Sequence, residues 1–476
     1  MLLPELQSRR DVLRGTACGF GSLALSALLA AESRGLSTSA TPPLRDGLHH
    51  PARVKRVIFI FMQGGPSHVD SFDHKPLLAK RDGQQFAFED DRIRAKTGQK
   101  SSTHKLMKSP WEFRQYGESG RWVSDLFPHV AQHVDQLCLV HSLHTEGVAH
   151  GPATLFLHCG ATNFIRPSMG SWISYGLGSE NRNLPSFVTI APSAGNGGPR
   201  NYGTAFLPPR HQGTAIGDVN SPRLELDNLI NSRWTIEQQR EQLELTRALN
   251  QHQLQQHGGG AELDAVIESL ELAWRMQSHA PELLELDGET VETHSLYGIG
   301  EQETDRFGRQ CLLARRLCEA GVRYIQVNYG DNSANPAWDQ HSNLPKHAEH
   351  ARKVDRPIAG LLADLHRRGL LEDTLVWWGG EFGRTPYSQS NGTGRDHNPS
   401  GFTMWLAGGG VQSGLSYGRT DDFGHQAVEN KIHMHDLHAT ILHLLGIDHL
   451  RLTYRYAGRD FRLTDVAGEV VHGLLS

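Results

Sequence analysis

The chain is punctuated by continuous apolar runs that stop abruptly at small or polar residues. Val57-Ile58-Phe59-Ile60-Phe61-Met62 ends at Gln63-Gly64-Gly65-Pro66, and similar runs follow at Leu137–Val140, Phe187–Ile190, Val322–Val327, Leu375–Trp378 and Phe402–Ala407. Unbroken runs of this length suit strands covered on both faces, as in a parallel sheet, and not half-exposed strands, which alternate. Helical patterns lie between several of them. Arg306–Ala320 and His347–Arg368 are the clearest, the second carrying Ile358, Leu361, Leu362 and Leu365 at helical spacing. The alternation predicts an α/β fold: a mostly parallel central sheet flanked by helices. A length of 476 residues accommodates one large domain of this kind, assigned here to residues 41–476. Residues 223–288 differ. They are rich in Leu, Gln, Glu and Arg, offer no strand, and are split by Gly258-Gly259-Gly260, so they are expected to form an inserted helical hairpin with a solvated face.

The first forty residues read as an export signal. Ser8-Arg9-Arg10-Asp11-Val12-Leu13-Arg14 resembles a twin-arginine motif, with Val12 where Phe is usual, and an apolar stretch rich in Gly, Ala and Leu runs from Thr16 to Ala31. That stretch is short for a stable membrane span. Residues 1–40 are therefore expected to be the signal and the start of a Pro/Ser linker. The expected partner is the twin-arginine export machinery, and the expected location is the periplasm or the extracellular space. No membrane span is expected after processing. The net charge of -5, with acids and bases mixed, carries no nucleic-acid footprint. Five cysteines, one of them Cys18 in the signal, form no CxxC pair and no disulfide framework, leaving room for a single bridge.

Chemistry is expected beyond the carboxyl ends of the strands, where open α/β sheets bind ligands. After the first run come Gln63, His68, Asp70 and Asp73; after the second, His141, His144, Glu146 and His150. After Val322–Val327 come Asp331, Asp339 and His341; after Leu375–Trp378, Glu381, Arg384, Arg395, Asp396 and His397. Carboxylates and imidazoles gathered behind four separate strands are what a metal site needs, because its ligands converge from several directions. Singly, each has an ordinary reading: an Asp after a strand caps the next helix, and a His makes a hydrogen bond.

Four stretches together are more specific: Ile58 to Ser67 with Asp70-Ser71-Phe72-Asp73-His74-Lys75-Pro76; Arg166-Pro167-Ser168-Met169-Gly170-Ser171-Trp172; Glu381-Phe382-Gly383-Arg384-Thr385-Pro386 with Gly394-Arg395-Asp396-His397; and Asp436-Leu437-His438-Ala439-Thr440-Ile441-Leu442 with Gly446-Ile447-Asp448. From about Arg53 onward the chain resembles the exported bacterial family called domain of unknown function 1501, grouped with alkaline phosphatases and sulfatases. The resemblance implies an alkaline phosphatase/sulfatase-like core and a divalent metal (zinc, calcium or manganese). It also exposes departures. Gln63 stands where the superfamily's first metal-binding Asp is expected. His150, in His150-Gly151-Pro152 to Cys159-Gly160, stands in the nucleophile slot. Glu381-Phe382 replaces an Asp-His pair.

The resemblance implies metal ligands at Asp339, His341 and His397, with Asp396 and Gln63 as further candidates. Glu381, Asp396 and His150 are the candidates for a second metal site or for general acid–base work. Arg384 and Arg395 are the candidates for neutralising an anionic ester, since Arg grips phosphate and sulfate oxygens in pairs. The expected activity is metal-dependent hydrolysis of phosphate or sulfate esters, a sulfated glycan among the candidate substrates, by direct attack of a metal-activated water. The alternative is a non-catalytic exported protein whose altered site now binds a glycan or a protein partner. A cofactor-independent mutase is disfavoured, because export removes the chain from glycolytic substrates.

Overall fold

The computed structural model describes residues 47–89, 101–221, 224–226, 234–257, 261–389 and 392–476. The segment read above as an export signal, and most of the linker expected after it, lie outside these residues. Arg56–Met62 (β1) runs through the middle of the molecule. Its side chains alternate between two cores: Ile58, Ile60 and Met62 enter one, Val57, Phe59 and Phe61 the other. Both faces of the strand are covered, which is why its apolar run is unbroken.

The remaining strands that position the site are Leu137–His144 (β2), Phe187–Ile190 (β3), Thr214–Ile216 (β4), Tyr324–Tyr329 (β5), Thr374–Gly379 (β6), Gly383–Ser388 (β7), Arg395–Asn398 (β8), Phe402–Gly408 (β9), Ser416–Tyr417 (β10) and Ile432–His433 (β11). The central sheet has nine strands, in the order β10-β2-β9-β6-β1-β5-β3-β4, with β11 also on β2. β1 is parallel to both β6 and β5, and β3 is parallel to β5 and β4. Facing pairs reinforce the register: Phe59 lies opposite Trp377, their rings stacked with centroids 3.8 Å apart. Offset-stacked rings of this kind contribute roughly 0.5–1.5 kcal/mol beyond the area they bury.

β9 is the exception, antiparallel to both β6 and β2. Its sequence belongs with the parallel strands, but its connection decides otherwise. The chain leaves β6, forms the antiparallel β7–β8 hairpin at the same end of the sheet, and re-enters from that end. A parallel strand would need a crossover to the far end.

Helices cover both faces. Asp305–Glu319 (α5) and Lys346–Arg367 (α6) supply Leu312, Leu313, Val354, Ile358, Leu361 and Leu365 to one core. His150–Cys159 (α1), Met169–Leu177 (α2) and Met434–Leu444 (α7) supply Phe156, Trp172, Ile173, Leu437 and Ile441 to the other. The insertion region carries Ile236–His257 (α3) and Ala261–Leu284 (α4). Ile236, Leu245 and Leu249 of α3 are exposed. Cys138, Cys159, Cys311 and Cys318 are buried thiols with no bridge among them. Among the described residues no helix is long and apolar enough to cross a membrane.

Candidate functional site

Loops leaving the carboxyl ends of β1, β2, β5 and β6 meet over one edge of the sheet, and two glycines let them close. Gly64, at φ +106°, sits where a Cβ would fall 2.5 Å from Pro336 O and 2.7 Å from Asp339 N. At Gly394 a Cβ would lie 2.2 Å from the carbonyl carbon of His341. No side chain fits at those separations, so the loop carrying Asp339 and His341 rests directly on the β1 loop and the β7–β8 hairpin.

His150, Asp339, His341 and His397 gather here, one ligand atom of each lying within 4.8 Å of all the others. Asp339 is the hub. Its Oδ1 is 2.8 Å from His341 Nε2, 3.1 Å from His397 Nε2 and 2.7 Å from an Arg384 nitrogen. Its Oδ2 is 3.0 Å from His150 Nε2, but the two are not aligned as a hydrogen bond, and that buried nitrogen has no hydrogen-bond partner. The Nε2 atoms of His341 and His397 stand 3.0 Å apart.

Behind each ring is an acceptor. His150 Nδ1 is 2.6 Å from Glu381 Oε1, His397 Nδ1 is 2.9 Å from Val148 O, and His341 Nδ1 meets Gln389 Oε1. Phe382, buried where the resemblance implies an imidazole, stacks on His397 with centroids 4.3 Å apart and packs on His150. Strand pairing of Arg384 with His397 sets the hairpin's contribution.

The pocket crowds charged groups of both signs. Burial would raise the pKa of Asp339, but contacts with His150, His341, His397 and Arg384 outweigh it and hold the carboxyl far below its ordinary range. Burial likewise opposes a charge on His150, yet Asp339 and Glu381 prevail and push its pKa up to about 9. On His397 burial wins over Asp339 and the value falls.

The structure thus brings together Asp339, His341 and His397, and adds His150, which was expected in a second site or in acid–base work. Asp339 does not cap a helix: α6 starts seven residues later, with Pro345 at its N-cap. Other candidates are placed elsewhere. Gln63 is buried, but its hydrogen bond goes to Ser193 Oγ at 3.3 Å, not to any of the four. Asp396 sits at the rim with a half-exposed side chain, 3.8 Å from His341 Nδ1. Glu381 is fully buried and accepts the Gly64 N–H on both oxygens, at 3.0 and 3.1 Å.

The two arginines correct the expectation of an anion clamp. Arg384 is 1% exposed and donates to the carbonyls of Gly64, Gly65 and Arg395 as well as to Asp339. Arg395 is buried against Asp70, at 2.6 and 3.0 Å, and against the carbonyls of Thr385 and Met107. Neither guanidinium is open to an incoming ester. His68 and Asp73 also lie in a separate network: His68 Nε2 meets Gly424 O at 2.8 Å, and Asp73 pairs with Lys75 at 3.0 Å. Sequence reasoning missed Gln389 and the carbonyl of Val148. A loop glutamine and a backbone oxygen carry no spacing signal.

Fold and site together define an α/β protein with a histidine-rich candidate metal centre at the carboxyl edge of its sheet. Within that class, the chain belongs to the family described as protein of unknown function DUF1501, whose model matches residues 54–475. No curated protein matches it. Similar solved structures include the alkaline phosphatase of the Antarctic bacterium TAB5, at 10% identity over 84% of this chain and 99% of that one, with a TM-score of 0.32. Another is the lipoteichoic acid synthase LtaP of Listeria monocytogenes, at 10% identity over 92% and 80%, with a TM-score of 0.33. A third is a protein in the alkaline phosphatase superfamily from Vibrio parahaemolyticus, at 9% identity over 90% and 75%, with a TM-score of 0.33.

Proposed function

We propose that this protein is a metal-dependent hydrolase of phosphate or sulfate esters that works outside the cytoplasm. One observation carries the metal: three imidazole nitrogens and a carboxylate from three sequence-distant segments lie within 4.8 Å of one another, and the buried His150 Nε2 among them lacks a hydrogen-bond partner. Nitrogen and carboxylate donors in this ratio suit a divalent transition cation. When bound, such a cation polarises an ester oxygen and lowers the pKa of a water. The ester class rests on the family resemblance in the motifs around Gln63, Glu381 and His397.

The chain's own residues have separable tasks in this reading. Asp339 supplies the anionic centre, and Arg384 holds it in place. His341, with a side chain 24% exposed, marks the accessible side of the cluster, and Asp396 beside it is the candidate to carry a proton at the mouth. Phe382 walls off the inner side. The inward-facing arginines favour a second reading, a non-catalytic exported binding protein for a glycan or a protein partner.

The test is metal content followed by hydrolysis. His397→Ala should lower bound metal several-fold in elemental analysis of the exported protein, and aryl phosphate or aryl sulfate hydrolysis should fall with it. Metal content indifferent to His397 would remove the enzyme reading's main support. Normal metal without any ester hydrolysis would favour the binding protein.

A further inference from the structure

Hydrogen-bond bookkeeping at the cluster goes further than a metal of unspecified kind. Each of the three imidazoles has its Nδ1 against an oxygen acceptor: Glu381 Oε1 for His150, Gln389 Oε1 for His341 and Val148 O for His397. With its N–H held at Nδ1, a neutral imidazole would offer the Nε2 lone pair to a cation, which would displace any proton shared with Asp339. All three Nε2 atoms lie by Asp339, and those of His341 and His397 are 3.0 Å apart, close enough to share one cation.

Glu381 is in the opposite position. It is fully buried, its two oxygens take the Gly64 N–H, and Oε1 also takes the proton of His150 Nδ1. It lies behind the His150 ring, away from that ring's Nε2. Among the described residues no second group of three or more His, Cys, Asp or Glu is close enough to hold an ion.

Resting on the metal reading above, we infer that the centre takes one zinc-class cation through Nε2 of His150, His341 and His397 and a carboxylate oxygen of Asp339, and that Glu381 is a positioning residue that orients His150 without touching the ion. Three nitrogens and one oxygen match the four-ligand preference of zinc and its first-row neighbours. Magnesium and calcium take oxygen donors almost throughout. A carboxylate behind a ligating histidine fixes its tautomer and ring orientation. With four protein donors, a water or substrate would enter as a fifth ligand, from the side marked by the more exposed His341.

The test uses the full chain, stripped with a chelator and titrated by calorimetry with zinc, cobalt(II), magnesium and calcium chlorides. One zinc per chain is expected. Cobalt(II) should give the intense visible absorption of a four-coordinate, nitrogen-rich site, and neither magnesium nor calcium should bind at the same concentrations. Two zinc ions per chain, or preferred binding of magnesium or calcium, overturns the inference. Glu381→Gln should keep the single-ion stoichiometry and the cobalt spectrum while binding roughly 10–100-fold more weakly. A changed coordination spectrum would make Glu381 a ligand and overturn its assignment. If that variant does not fold, Glu381→Asp retains the charge, draws the carboxylate back from His150 and is read the same way. One zinc bound without ester hydrolysis sinks the hydrolase reading and leaves this inference standing; no cation bound sinks both.

Discussion

Arg395 is ringed by Asp70 and two carbonyls, with no exposed surface. Burial on its own would raise the pKa of Asp70, but the guanidinium outweighs burial and holds it below 3.8. The pair's contribution to stability is therefore complete above the unfolded carboxylate's value and is lost as pH falls through the lower folded value. Asp70→Asn leaves a buried cation without its counter-charge and should cost about 3–5 kcal/mol near pH 7. Urea unfolding measures this, and the gap to the parent should narrow below about pH 4, where Asp70 starts to protonate in the parent's unfolded chain while the folded carboxylate is still ionised. A gap independent of pH would show that Asp70 contributes packing and not charge. Phe382 teaches the complementary lesson: a position read as a lost ligand holds a ring that fixes two histidines.

Elements differ in how firmly they are held. β1 is buried along almost its whole length and stacked between β6 and β5. α3 exposes Ile236, Leu245 and Leu249, while α4 packs Leu283 and Leu284 against the core and is tied at the surface by the Arg210–Glu268 ion pair and an Arg275 bond to the carbonyl of Arg182. Few buried contacts mean a low free energy of local opening. Hydrogen-exchange mass spectrometry should show α3 amides exchanging well before those of β1 and β6. Equal protection would mean that the hairpin is locked to the sheet.

Over the whole molecule, a cation that binds the native site and not the unfolded chain must stabilise the fold. At a free zinc concentration 100-fold above the dissociation constant, the gain is about 2.7 kcal/mol. It should appear as a higher urea midpoint at unchanged slope, and a chelator should reverse it. An unmoved midpoint would count against any native metal centre. Export is a separate proposal at this scale. Replacing Arg9 and Arg10 together with Lys should leave the protein in the cytoplasm, because the export machinery reads the paired guanidinium groups. Cell fractionation decides it, and a normally exported double variant would refute the signal reading.

The sequence by itself determined the sheet. Unbroken runs such as Val57–Met62 and Leu375–Trp378 have no stable place except between two covered faces, so their strands and the helices α5 and α6 were legible from periodicity alone. It also placed Asp339, His341 and His397 among the carboxylates and imidazoles that follow strands and so arrive at one edge, and the family resemblance singled out those three. Tertiary structure decided the rest. The direction of β9 depends on which end of the sheet the β7–β8 hairpin occupies, which its apolar pattern does not encode. Whether an arginine faces solvent or a buried carboxylate depends on contacts such as Arg395 to Asp70, made across 325 positions of chain. His150 became a member of the cluster, and Glu381 its support, only because Gly64 and Gly394 let three loops approach to backbone contact. A sequence lists donors and charges, but the direction of a lone pair is set by the partner on the far side of the ring, and that partner is chosen by the fold.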